Sequence, residues 1–258
     1  MASKIRISRR KNYREQLRLY LNLTKRLNAK LKKLFRQASR KASSKYAQGM
    51  FVDDIFMTEY ADDLYKILAN QYRTVITQSA NRIIEQRFKK ADDEVNTIIE
   101  AYIITHTATE VTRISETTKK LLSATILKGI RDGDSIEDIS RSIRKSNAFS
   151  ENRATLIART ETHTAMNAGN MEITKTLALS EPVKEWNSAM DERARYYHKS
   201  MDGKVVPIDD AFIVTTPTKY GPIDYRMQYT GDSNGGAANV CNCRCFTSYY
   251  DKDDEVIA

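Results

Sequence analysis

A chain of 258 residues, 41% hydrophobic and 29% charged, has material for one large domain or two smaller ones and suits a soluble protein with long exposed helices. No apolar run approaches the roughly 20 residues that span a bilayer, and the basic N-terminus lacks the apolar stretch of a secretory signal, so neither a membrane protein nor a secreted one is expected. Residues 1–45 hold sixteen Lys or Arg against one acid, Glu15, and their charge of +15 leaves −6 on the rest of a chain whose net charge is +9; such a distribution implies an anionic partner, nucleic acid first.

In chain order, Tyr20, Leu23, Leu27, Leu31 and Leu34 recur at spacings of three and four, which predicts an amphipathic helix from about Asn12 to Tyr46. Gly49 permits a break. A second helix is predicted from Asp53 to Lys90, burying Leu64, Ile67, Leu68, Val75, Ile76, Ile83 and Ile84. Asp92-Asp93 favour the start of a third, with a stripe of Val95, Ile98, Ile99, Tyr102, Ile103 and His106. It runs on towards Leu127, although the threonines from Thr105 to Thr118 work against it. Gly129 and Asp132-Gly133 end this section. A short helix follows on Ile136, Ile139 and Ile143, with Asp134 and Glu137 at capping-box spacing. Ser150 is the expected N-cap of a helix reaching about Leu179, which carries Arg159, Glu161 and His163.

All four prolines lie at or after Pro182, and five of the nine glycines lie between Gly203 and Gly236. These breakers divide the chain near residue 181 into a helical part and a loop-rich part. In the second part the expected elements are a strand from Lys184 to Ser188 around Trp186 and a short helix from Asp191 to Ser200. A tight turn at Asp202-Gly203 leads into a strand at Lys204–Val206. A β-branched run from Phe212 stops at Pro217, Ser233–Ala238 forms a loop, and a last strand covers Cys245–Tyr250. The fold class is α+β: an extended, mainly helical N-terminal region and a compact C-terminal module of helices and short antiparallel strands. The expected divisions are a basic helical arm (1–49), a helical region (50–131), the C-terminal module (132–250) and an acidic tail (251–258).

Three constellations carry chemistry. The first is the basic arm, with Arg9, Arg10, Lys11, Arg14, Arg18, Lys25, Arg26, Lys32, Lys33, Arg36, Arg40 and Lys41. These neutralise phosphates without reading bases, so binding is sequence-independent and salt-sensitive; an acidic protein surface is the alternative partner. The second is Asp191, His198, Cys243 and Cys245, with Cys241 as a substitute. A helix over 191–198 would place Asp191, Arg195 and His198 on one face, and the donor types are those of a tetrahedral zinc site. The alternative is a metal-free network in which His198 bonds Asp191 and the cysteines pack as small apolar groups; no cofactor is required. Clustered in 241–245, the cysteines do not form a disulfide framework. The third is Arg159 and Glu161. Arg159 is expected to pair with a carboxylate such as Asp191, and Glu161 with Arg193 or Arg195, in a structural network rather than a general-base site. Trp186 is the expected core anchor. No phosphate-binding glycine loop, Gly-x-Ser-x-Gly or His-Glu-x-x-His occurs, so no enzyme signature is present.

The order Ala158-Arg159-Thr160-Glu161, Trp186, then Asp191, Arg193, Arg195, His198 and Asp202-Gly203, then Asn242-Cys243-Arg244-Cys245, resembles the phage Mu F-like family of minor head proteins, or phage head morphogenesis proteins. The resemblance covers roughly residues 133–250. It departs at Leu179-Ser180-Glu181-Pro182, where a glycine is often found before the tryptophan, and in the additional Cys241. It implies a low-copy head protein of a tailed phage, associated with the portal protein and packaged double-stranded DNA, and in contact with scaffold or major capsid protein. Such a protein resides in the virion and, during assembly, in the host cytoplasm. The alternatives are a metal-dependent nuclease or hydrolase, and a DNA-binding accessory protein that stays outside the particle.

Overall fold

The computed structural model describes residues 2–50, 54–87, 92–177 and 179–252, with side chains for 11–50, 56–83, 93, 95–177 and 179–252. The side chains of Arg9, Arg10 and Ile84, and the tail beyond Lys252, lie outside the described residues. The fold is α+β. Helices α1 (Ala2–Ala47), α2 (Asp54–Arg87), α3 (Asp92–Tyr102), α4 (Ala108–Asp132), α5 (Ile136–Arg144) and α6 (Glu151–Thr176) come first. After them come β1 (Pro182–Asn187), α7 (Tyr196–Lys199), β2 (Val205–Pro207), β3 (Phe212–Thr218), β4 (Gly221–Met227), α8 (Gly236–Val240) and β5 (Phe246–Asp251). Among the described residues, no helix is long and apolar enough to cross a membrane.

The chain forms two compact units. One takes residues 25–71 and 101–158; the other takes 1–24, 72–100 and 159–258. Among the described residues, the regular elements of the first unit are all helices. Leu27, Leu31, Leu34 and Phe35 of α1, Phe56, Tyr60, Leu64 and Leu68 of α2, Ile139 and Ile143 of α5, and Phe149 are buried together with α4 side chains. Phe35, Tyr60 and Phe149 contact one another, with ring centroids 6.1–6.4 Å apart. Arg153 lies over Phe35, and its guanidinium donates to the carbonyls of Ala148 at 2.7 Å and Ile114 at 2.9 Å. The threonine-rich stretch stays helical, passing through a π turn at Ile103–Thr107 into α4. Its hydroxyls are absorbed by the helix: Thr105, Thr109, Thr112, Thr117 and Thr118 each donate to the carbonyl four residues earlier.

The cap of α5 differs by one residue from expectation. Ser135 is the N-cap and accepts from Asp138 N at 3.1 Å, while Ser135 Oγ donates to Asp138 Oδ2. Gly133, at φ +73°, ends α4 in the left-handed region, which leaves Asp134 between the two helices. Ser150 caps α6 as expected, accepting from Arg153 N.

The second unit holds the strands. β1 is central in a three-stranded antiparallel sheet of order β2-β1-β5, with Trp186 opposite Thr247 and Lys184 opposite both Val206 and Tyr249. β3 and β4 form a separate hairpin. β3 does not stop at Pro217: it runs through to Thr218, with Pro217 opposite Pro222. A two-stranded ribbon tolerates the missing N–H groups because neither strand is central. The glycine-rich stretch 233–238 is likewise not a loop; it forms a 3₁₀ turn at Ser233–Gly235 and starts α8. Asp232 nucleates it by accepting from Asn234 N at 2.9 Å.

This unit also includes the first part of α1, although the family resemblance does not reach it. Gln16 donates to Thr247 O, Tyr13 OH donates to Arg244 O, and Tyr20 packs edge-on to Phe246 and His163. Asn167 of α6 is buried; its Oδ1 accepts from Thr247 N at 3.0 Å and from Thr230 Oγ1 at 2.9 Å.

Candidate functional site

Three buried side chains meet in the strand-containing unit. His198 comes from α7. Cys243 and Cys245 come from the segment leading into β5. Their ligating atoms all lie within 4.8 Å of one another. His198 Nδ1 is 3.7 Å from Cys243 Sγ and 3.6 Å from Cys245 Sγ. Each residue is at most 2% exposed.

Local structure sets this arrangement. Asn242 sits at φ +56°, a left-handed conformation that Asn adopts more readily than most residues, and Cys243 N closes a turn on Val240 O at 3.1 Å. On the other side, His198 Nε2 meets Asn239 Oδ1 at 3.0 Å. The amide orientation of Asn239 is fixed because its Nδ2 donates to Gly235 O at 2.8 Å. Nε2 therefore carries the imidazole proton, and the Nδ1 lone pair faces the two sulfurs. The neighbouring Cys245 thiol and burial push Cys243 above its ordinary value, and the neighbouring Cys243 and His198 draw Cys245 below. Trp186 and both cysteines belong to one apolar cluster with Met201, Phe212, Val214 and Met227. The Trp186 ring centroid lies 5.3 Å from that of His198. Its buried Nε1 has no hydrogen-bond partner among the described residues.

Asp191 and Cys241 do not join this group. The predicted helix over 191–200 is confined to Tyr196–Lys199, so Asp191, Arg195 and His198 share no helical face. Asp191 instead accepts from the backbone N of Arg193 and Ala194, both at 3.0 Å, and holds the chain in a turn. Both its carboxylate oxygens are engaged by Arg244, and this ion pair holds the carboxyl below its ordinary range. Half-buried Cys241 offers its carbonyl to Arg195 Nη2 at 2.7 Å.

The Arg159–Asp191 pairing is thus replaced by Arg244–Asp191, and Arg159 is exposed. Glu161 is buried and accepts from Tyr72 OH at 2.6 Å, Arg193 is exposed, and Arg195 serves Cys241 rather than Glu161. His163, also buried, meets Cys245 O through Nε2 at 2.5 Å, and burial lowers its pKa. His106 stacks on Tyr102 at 4.7 Å between centroids.

Of the basic side chains, Lys11, Arg14 and Arg18 are exposed on the part of α1 in the strand-containing unit. Lys25, Arg26, Lys33, Arg36 and Arg40 are exposed on its part in the helical unit. There, Lys32 pairs with Glu151 at 2.6 Å and Lys41 pairs with Glu59. The opposite face of the same helix is core, from Tyr20 to Ala42.

Sequence reasoning missed Asn239 and Arg244. Arg244 was visible between two cysteines, but its partner is 53 residues away. Asn239 lies in a run of small residues with no pattern that marks it.

A family model described as Phage Mu protein F like protein matches residues 120–248, half of the chain. Curated relatives include "Minor head protein GP7" of Bacillus phage SPP1, 30% identical over 132 residues that make up 50% of this chain and 39% of the relative. Another is "NAD(+)--arginine ADP-ribosyltransferase EFV" of Enterococcus faecalis, 32% identical over 125 residues, 47% of this chain and 24% of the relative. The chain therefore matches well under half the length of either relative. No solved structure matches. His198, Cys243, Cys245, Trp186 and the Asp191–Arg244 pair all fall inside the matched region, and the chain belongs to the Phage Mu protein F like family.

Proposed function

We propose that this chain is a minor structural protein of a tailed-phage head, present in few copies beside the portal protein, where the basic face of α1 holds packaged DNA. It assembles in the host cytoplasm, against portal, scaffold or major capsid protein, and ends in the virion. The observation that carries this reading is the family match over residues 120–248, supported by 30% identity to a protein named as a minor head protein.

The charge distribution supports the DNA contact. Exposed Lys25, Arg26, Lys33, Arg36 and Arg40 lie on a helix whose other face is buried. A rigid row of cations binds phosphates by counterion release, without sequence preference. That suits a protein touching a genome that must later leave.

We read the chain as non-catalytic. His198, Cys243 and Cys245 are too buried to meet a substrate, and Glu161, the candidate general base, is buried against Tyr72. Cross-linking in intact virions, followed by mass spectrometry, tests the location. Cross-links between this chain and the portal protein are expected. Cross-links confined to tail components would overturn the reading.

A further inference from the structure

We propose that His198 Nδ1, Cys243 Sγ and Cys245 Sγ bind one zinc ion as three of its ligands. The geometry comes first. Zinc–sulfur bonds of about 2.3 Å and zinc–nitrogen bonds of about 2.0–2.1 Å in a tetrahedron put sulfur and nitrogen roughly 3.6 Å apart. The two sulfur–nitrogen separations here are 3.7 and 3.6 Å.

Charge comes second. On binding, each thiol releases its proton to solvent, and two thiolates with a neutral imidazole cancel the charge of Zn²⁺. A site this buried accepts a neutral assembly far more readily than an isolated ion.

The imidazole is already set for the task. Asn239 holds the Nε2 proton and leaves the Nδ1 lone pair on the thiol side, the outer contact that orients a histidine ligand. Asn239 is itself fully buried and held by Gly235 O and Thr216 Oγ1. Trp186 Nε1, buried in the same cluster, has no hydrogen-bond partner among the described residues.

A mixed thiolate–imidazole set suits zinc better than calcium or magnesium, which take oxygen ligands. A Cys243–Cys245 disulfide is the competing use of these sulfurs. It would close a loop with one residue between the cysteines and leave the buried Nδ1 without a donor. The proposed ion joins α7, only four residues long, to the entry of β5. It is independent of the phage-head reading.

The test uses the full chain, purified under reducing conditions from zinc-supplemented medium. Elemental analysis should find about one zinc per chain. Cys243→Ser and His198→Ala should lose it, while Cys241→Ser should keep it. Because the first two variants can misfold, the unmodified protein is also stripped and titrated with Co²⁺. Thiolate-to-cobalt charge transfer with tetrahedral d–d bands, bleached by one equivalent of zinc, is expected. Unmodified protein with no zinc above buffer and no thiolate–cobalt absorption would overturn the proposal. Loss of zinc in Cys241→Ser would overturn the ligand set.

Discussion

Asp191 and Arg244 face each other as a two-pronged ion pair: Nη2 donates to Oδ1 at 2.5 Å and Nη1 donates to Oδ2. The pair ties the turn before α7 to the segment between the two buried cysteines, so it clamps the two pieces of chain that bring His198 and the sulfurs together. Tyr13 adds α1 to the clamp through its hydrogen bond to Arg244 O at 3.2 Å.

The carboxyl of Asp191 is held below its ordinary range in the folded state, first by the Arg244 hydrogen bond. Its contribution is therefore present above the unfolded value near 4 and is lost as pH falls through the lower folded value. The Asp191 side chain is 41% exposed, so screening limits the effect. Asp191→Asn is expected to cost about 1 kcal/mol at pH 7, with the difference from wild type vanishing in acid below both values. Urea unfolding of both proteins at neutral and acid pH checks this; a difference that grows on acidification would contradict it.

Lys184 is fully buried, donates to Gln228 Oε1 at 2.8 Å and lies over the ring of Phe212. Burial is the main cause of its pKa falling to about 8. Between that value and the unfolded one near 10.4 the unfolded chain binds more protons, so stability from this group rises with pH across that window. Lys184→Met is expected to stabilise the protein at pH 7 by on the order of 1–3 kcal/mol, and the gain should shrink by pH 10. The double difference in unfolding free energy isolates this group from the tyrosines and cysteines.

Gly231 and Gly49 both have positive φ, +84° and +73°, but only Gly231 is crowded. A Cβ at Gly231 would come within 2.4 Å of His163 Nδ1, whereas one at Gly49 meets nothing within 4 Å. Gly49→Ala should cost about 1 kcal/mol of backbone strain. Gly231→Ala should cost about 3 kcal/mol or more, because buried His163 must also move. Equal losses in thermal unfolding would rule out the close approach.

The basic face calls for charge substitution rather than deletion. Removing α1 would take away Tyr20, Leu23, Leu27 and Leu31, all buried. Replacing Lys25, Arg26, Lys33, Arg36 and Arg40 with Ala alters exposed positions only. Fluorescence anisotropy with duplex DNA should show affinity that falls steeply with salt, and the variant should have a shallower slope, by about one unit per lost phosphate contact. An unchanged slope would assign these side chains to another partner.

What could be read from the sequence was what repeats. The three-and-four spacing in α1 was legible because a helix buries one face, the strand around Trp186 because Pro182 marks the break before it, and the last strand because Cys245–Tyr250 alternates. The turn at Asp191 was missed because a side chain bonding its own backbone leaves no periodic signal. The continuity through Thr105–Thr118 was obscured because propensity counts β-branching but not the hydroxyl bonds back into the helix. The candidate site was half legible. Histidine and cysteines announce donor chemistry, but which carboxylate stands near them depends on contacts dozens of residues apart. That packing gave Asp191 to Arg244.

The most direct measurement is quantitative immunodetection of this chain in purified, nuclease-treated virions of the phage that encodes it. A few copies per particle, retained after nuclease treatment, is the predicted result. Complete absence from particles that carry a full genome would contradict the account and favour a DNA-binding protein that acts outside the virion.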